Sequence, residues 1–238
     1  MTGAEALAAR RRAGVSLHIT SLPGRYGIGE VGDEARAFTE TLRRMQLGVW
    51  QVLPLGPTGY GDSPYQPLSS FAGNEMLIDC ATFIRVGLIT SSEADSLLNL
   101  PANSVDYGAL IPGKRALLQR ATGRFDVHAN AAIKADFDRY LDDNDQAWLH
   151  DYALFRALKT EHDERTWTEW PAGYANREPA ALRRAESRFA NEIESTKILQ
   201  FLLHRQWQRL RRHAEENGVA LLGDMPIYVA LDSADAWA

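Results

Sequence analysis

The chain has 238 residues, 45% hydrophobic and 24% charged, with a formal net charge of −5 and a single cysteine. That is ordinary soluble-domain composition, large enough to bury a sizeable core. It excludes a disulfide framework, a cysteine-based metal site and a broadly basic nucleic-acid or membrane-binding surface. Met1 to Arg12 is rich in alanine and arginine and predicts a loose helix, with Arg10-Arg11-Arg12 as a solvated basic run. No apolar signal core follows the start, and no apolar run reaches membrane-spanning length, so the cytoplasm is the expected compartment.

Gly14 to Thr20 alternates apolar and polar residues and predicts a first strand, closed by Ser21-Leu22-Pro23-Gly24 and a glycine-rich loop to Gly29. The spacing of Gly24, Gly27 and Gly29 is not that of a phosphate loop, since no Lys-Ser/Thr follows it. Asp33 to Gln46 predicts a helix capped by Asp33, with Ala35, Phe38, Leu42 and Met45 on one face. Val49 to Leu55 is a second apolar strand, ended by Pro54 and Gly56-Pro57. Strand, helix and strand with short connections form a parallel unit, whose working loops lie at the carboxyl ends of the strands.

The loop from Thr58 to Asn74 contains Tyr60, Asp62, Ser63, Tyr65, Gln66 and Phe71 among glycines, prolines and serines. A flat apolar ring with a polar rim suits a sugar, so the loop reads either as a ligand wall or as a surface loop packing its aromatics inward. Met76 to Asp79 predicts a short extended run. A long helical stretch follows, over Ser91 to Leu100, Lys114 to Ala121, Ala131 to Leu141, Gln146 to Thr160 and Glu178 to Asn217. Such a length exceeds an ordinary crossover and predicts an inserted helical subdomain. His204 and Trp207 share a face with Leu203 and read as core. The six histidines make no metal-ligand pattern with the carboxylates. Val219 to Asp224 then predicts a third, buried parallel strand with Asp224 at its carboxyl end, either hydrogen-bonded in the core or facing a ligand.

The string Gln-Val-Leu-Pro-Leu-Gly-Pro-Thr-Gly-Tyr-Gly-Asp-Ser-Pro-Tyr-Gln from Gln51, followed by Ser-Ser-Phe-Ala-Gly-Asn to Asn74, resembles the amylomaltase family of 4-α-glucanotransferases. Ser21-Leu22-Pro23-Gly24, Val105-Asp106-Tyr107, Asp151-Tyr152-Ala153-Leu154-Phe155, Gly223-Asp224-Met225-Pro226-Ile227 and Asp232-Ser233-Ala234 are similar to the same family. The resemblance implies an α/β chain forming part of a (β/α)8 TIM-type barrel with a large inserted helical subdomain. On that reading residues 1–85 hold the first βα units and the sugar-binding loop. Residues 86–217 are the helical insertion and return helix, and 218–238 the third barrel strand with its end loop. It further implies transfer of an α-1,4-glucan segment to a new 4-hydroxyl through a covalent glycosyl intermediate, using two carboxyl groups and no metal or organic cofactor.

By the same resemblance, Tyr65 stacks on the sugar at the cleaved bond and Asp224 bonds that sugar's hydroxyls. Tyr60 belongs to glucan binding outside the cleft, and Asp62 and Ser63 join it by adjacency. Ile111 stands where some relatives carry an aromatic, and Glu75 where they often carry proline. The family's Arg-x-Asp-His and Ala-Glu-Asp-Leu-Gly segments, which hold the nucleophile and the acid/base, occur nowhere in the chain. No catalytic residue is therefore assigned. The expected partners are an α-1,4-glucan or maltooligosaccharide donor and a sugar acceptor, together with the remaining carboxyl-terminal part of the barrel. A non-catalytic glucan-binding module is the alternative. A helical interaction protein ranks below both, because it leaves the strand-end loops unexplained.

Overall fold

The computed structural model describes residues 11–101 and 103–238, with the side chain of Tyr60 outside the described set. The helix expected over Met1 to Arg12, and Arg10 of its basic run, thus fall almost wholly outside the described residues. Three short strands form one parallel sheet in the order β1 (Gly14–Ser16), β2 (Val49–Gln51), β3 (Ala220–Leu222). The register places Val15 beside Trp50 and Trp50 beside Leu221. The sheet bonding continues slightly past the strands, through Leu17 N to Gln51 O and Val52 N to Leu222 O, both at 2.9 Å. The expected strands were longer. His18 caps a turn at Ile19–Ser21 and ends the first, while Pro54 has no N–H with which to continue the second.

Seven α-helices of more than one turn stand among the described residues: α1 (Asp33–Arg44), α2 (Cys80–Arg85), α3 (Tyr107–Gly123), α4 (Ala131–Asn144), α5 (His150–Glu161), α6 (Pro179–Arg188) and α7 (Ala190–Glu216). Gly32, not Asp33, is the cap residue of α1, and Asp33 opens its first turn. Of the face expected for α1, Ala35 and Leu42 are buried and Phe38 packs edge-on to Trp50. Met45 is exposed because the helix has already ended at Arg44. Residues 76–79 form no strand: Glu75–Leu77 is a 3-10 turn, and Asp79, with extended backbone, caps α2 by accepting from Ala81 N and Thr82 N at 3.1 Å. The long stretch after Glu178 is two helices, broken at Phe189.

Packing divides the chain into two compact units. The first comprises Met1–Leu55, Glu75–Arg120 and Leu202–Met225. Its core includes Ile19, Ile28, Leu42, Val52, Leu77, Phe83, Leu110 and Leu210 around Trp50, which is 0% exposed. The Trp50 indole N–H donates to Leu17 O at 2.8 Å, so the largest core ring leaves no buried donor orphaned. His204 is exposed, contrary to the core reading, because the inward face of α7 runs through Leu203, Gln206 and Leu210. Gln206 holds both backbone groups of Asp79, accepting from its N–H at 2.8 Å and donating to its carbonyl at 3.3 Å.

The first unit also buries an ion pair. Lys114 donates to Glu30 Oε1 and to Met76 O at 2.8 Å, and Cys80 N donates to Glu30 Oε2 at 3.2 Å. Burial pushes the Glu30 carboxyl up, against the attraction of Lys114. Lys114 is fully buried, so removing it strands a charge. We expect Lys114→Ala to lower unfolding stability by about 3–5 kcal/mol in urea titrations. A Glu30→Leu/Lys114→Met pair should recover most of that loss, and a cost below about 1 kcal/mol for the single variant would contradict the assignment.

The second unit comprises Gly56–Asn74, Ala121–Phe201 and Pro226–Ala238. Its core gathers Leu68, Ala72, Tyr152, Leu154, Phe155, Leu158, Trp170, Phe189, Ile193 and Trp237. Arg177 lies over the Trp237 ring, 4.3 Å from its centroid, and donates to Asp151 at 2.7 Å.

Candidate functional site

The loop Gly56–Asn74 is almost free of regular structure, yet its backbone is closely tied. Thr58 and Pro67 form an isolated antiparallel bridge, and Leu68 N donates to Pro57 O at 2.8 Å. Gly56 approaches Pro67 so closely that an added Cβ would sit 2.9 Å from the proline Cβ. Gly61 takes φ 72° at the loop tip, a region that glycine enters without strain. Asp62 shares that handedness at φ 53°.

The loop's second half is held by side chains from far along the sequence. Ser70 N donates to Asp235 Oδ2 at 2.6 Å, and Ser69 Oγ donates to Asp235 Oδ1 at 3.3 Å. Ser69 Oγ accepts in turn from Phe71 N and Ala72 N. Gln200 holds both faces of Gly73, accepting from its N–H and donating to its carbonyl, each at 2.8 Å. Ala234 N donates to Leu68 O at 2.8 Å.

The buttress behind this loop is itself fixed. Lys159, almost fully buried, spends its three donors on Glu164 O, Arg165 O and Asp232 Oδ2, at 3.0, 3.0 and 2.7 Å. Ser233 caps the closing turn Ala234–Trp237 and donates to Ala230 O at 2.6 Å. Of Asp232-Ser233-Ala234, recognised in the sequence only as a signature, Ala234 bonds the loop, while Asp232 and Ser233 hold the turn that carries Asp235. Sequence reading missed Lys159, Gln200 and Asp235. The partners Asp235 and Ser70 stand 165 residues apart, and no local pattern links them.

Asp62, Ser63 and Tyr65 lie together on this loop in the second unit. Ser63 Oγ accepts from Tyr65 N at 3.3 Å, so the hydroxyl shapes the turn that presents the tyrosine. Tyr65 is 46% exposed. Tyr60 lies in the 3-10 turn Tyr60–Asp62. Asp224 belongs to the first unit, just past β3. It is exposed, and its Oδ1 accepts from Met225 N at 2.9 Å. The expectation of a buried strand carrying it does not hold, since Leu222 is also exposed.

At the other strand ends of the first unit, His18 ties β1 to the chain after β2. Thr20 N donates to His18 Nδ1 at 3.1 Å, which leaves Nε2 as the donor to Pro54 O at 3.3 Å. Burial lowers the imidazole's pKa, partly offset by the bond to Pro54. The unfolded ring then binds a proton at a pH where the folded one does not. His18 stability is fully present above the unfolded value of about 6.5 and is lost as pH falls through it towards the lower folded value. We expect urea stability to drop between about pH 7 and pH 5, with His18→Gln flattening that slope. An unchanged slope in the variant would contradict this role.

Among the described residues no group of His, Cys, Asp or Glu could hold a metal ion, and no helix is long and apolar enough to cross a membrane.

A profile described as 4-alpha-glucanotransferase matches residues 17–238. The chain is 44% identical over 228 residues to a 4-alpha-glucanotransferase of Thermus thermophilus, covering 96% of this chain and 45% of the relative. It is 40% identical over 231 residues to a 4-alpha-glucanotransferase of Streptococcus pneumoniae, again over 96% of this chain and 45% of the relative. Among solved structures, the amylomaltase from Streptococcus agalactiae in complex with acarbose matches with a TM-score of 0.90 at 34% identity. That match covers 96% of this chain and 46% of the other. The chain thus spans about half the length of the relatives it matches.

Proposed function

The chain belongs to the 4-alpha-glucanotransferase family, and from that premise we propose that the whole protein moves a segment of an α-1,4-glucan onto a new 4-hydroxyl acceptor. This chain supplies part of the substrate-binding wall. The observation that carries the reading is the pinned loop Gly56–Asn74, which keeps Tyr65 half-exposed in a part of the molecule shared with an amylomaltase that binds acarbose. Tyr65 stacks on a glucose ring. Asp224 accepts hydrogen bonds from sugar hydroxyls, and Tyr60, Asp62 and Ser63 extend the contact.

β1, β2 and β3 are the first strands of a (β/α)8 barrel, and the helices between residues 86 and 217 are an insertion with a return helix. Exposed apolar side chains after β3, among them Met225, Ile227, Tyr228 and Leu231, support further barrel packing there, since Ile227 is 91% exposed. The retaining reaction needs a nucleophilic carboxylate and a carboxylic acid/base about 5–5.5 Å apart. The segments that carry them in the family are absent from this sequence, so the rest of the protein supplies that chemistry. We place the protein in the cytoplasm, acting on maltooligosaccharides without a cofactor. A second reading, a stand-alone glucan-binding module, draws support from one fact. The residues that pin the loop, Ser69, Gln200 and Asp235, all lie within this chain.

We expect the 238-residue chain to bind acarbose by calorimetry and to release no glucose from maltotriose. Tyr65→Ala and Asp224→Ala should each weaken binding by about tenfold, corresponding to roughly 1.4 kcal/mol. A longer chain completing the barrel should disproportionate maltotriose, whereas a complete chain that binds without transfer would favour the module. Glucose release by the 238-residue chain itself would overturn the assignment of the catalytic carboxylates.

A further inference from the structure

Phe71 is 66% exposed, although the backbone on either side of it is among the most closely held in the loop. Its own N–H donates to Ser69 Oγ at 3.1 Å, and the flanking Ser70 and Gly73 are fixed by Asp235 and Gln200. A ring on so firm a backbone is exposed by construction, because the loop has no freedom to tuck it away. Its ring lies nearly parallel to that of Trp148, with centroids 6.2 Å apart and planes 23° from each other.

Trp148 is set just as firmly. It sits on a π-helical turn, Asp145–Leu149, that interrupts the run from α4 into α5. Such turns are rare and concentrate at functional sites. The indole N–H donates to Asn144 Oδ1 at 3.0 Å, and the Asn144 amide donates to Tyr140 O at 2.8 Å, which fixes the plane of the ring. Buried Tyr152 backs it, with centroids 6.3 Å apart. The result is a tiered aromatic stack whose outermost ring faces solvent.

We propose that Phe71, backed by Trp148, is a second stacking position for a glucose ring of the glucan, separate from Tyr65. The proposal rests on the glucan-binding reading given above and adds a residue to it. A pyranose presents apolar C–H faces and polar edges, so an exposed flat ring beside an exposed Ser70 hydroxyl suits it. Tyr65 and Phe71 are six residues apart on one loop, a span of at most about 20 Å. An oligosaccharide of several glucose units can engage both rings, while a single disaccharide occupies one. Phe71 therefore selects for chain length.

Calorimetric titration of the 238-residue chain with maltose and with maltoheptaose tests this. Phe71→Ala should weaken maltoheptaose roughly threefold to tenfold and leave maltose unchanged. Phe71→Trp should retain the wild-type preference for the longer sugar, and the thermal midpoint of both variants should match the wild type because the ring is mostly exposed. Equal maltoheptaose affinity in wild type and Phe71→Ala would overturn the second position and leave Tyr65 as the glucan contact. Absence of any sugar binding by the wild type would overturn both this proposal and the reading beneath it.

Discussion

A loop almost free of regular structure must still find partners for its peptide groups, and the Gly73 peptide shows how this one does. Gln200 supplies an acceptor and a donor to the same residue, as a neighbouring strand would. Leaving such groups unpaired when buried costs about 1–3 kcal/mol each. Asp235 accepts from the N–H of Ser70, and Ser69 Oγ accepts from those of Phe71 and Ala72. The backbone that presents Phe71 is thus held before any ligand arrives. A ligand then escapes the cost of immobilising the loop, which otherwise subtracts from affinity.

The same logic recurs in the first unit with different groups. Gln206 clamps Asp79 through both backbone atoms, and Asp79 in turn caps α2. Glu30 meets Lys114 in the interior, and Lys114 also holds the Met76 carbonyl. Gln206, Lys114 and Glu30 each hold a backbone atom within residues 76–80. Connections are thereby fixed while the strands stay only three residues long. The sheet sets direction, and the side chains set the shape of what lies beyond it.

Some of this was legible in the sequence. Alternation located β1, apolar runs bounded by glycine and proline located β2 and β3, and the strand-helix-strand order with short connections marked the first pair as parallel. Their length was not legible, since an apolar run continues past the last bonded residue, as Leu53 and Leu55 do. The helix at Cys80 was hidden because its cap, Asp79, has extended backbone and follows an apolar run that mimics a strand. Tyr65 stood out by its loop context, and the family resemblance was strong enough to name it. Gln200, Lys159 and Asp235 could not be found that way. Their work is done across more than seventy residues of chain, where side-chain chemistry leaves no periodic trace.

We propose the pinned loop as a preformed wall for a glucan. Amide hydrogen exchange of the 238-residue chain, with and without saturating maltoheptaose, tests it most directly. A preformed wall exchanges slowly at Ala72 and Gly73 in the free chain and gains protection at residues 63–72 when sugar is present. Fast exchange at Gly73 in the free chain, or protection that appears only on the helices, would contradict it.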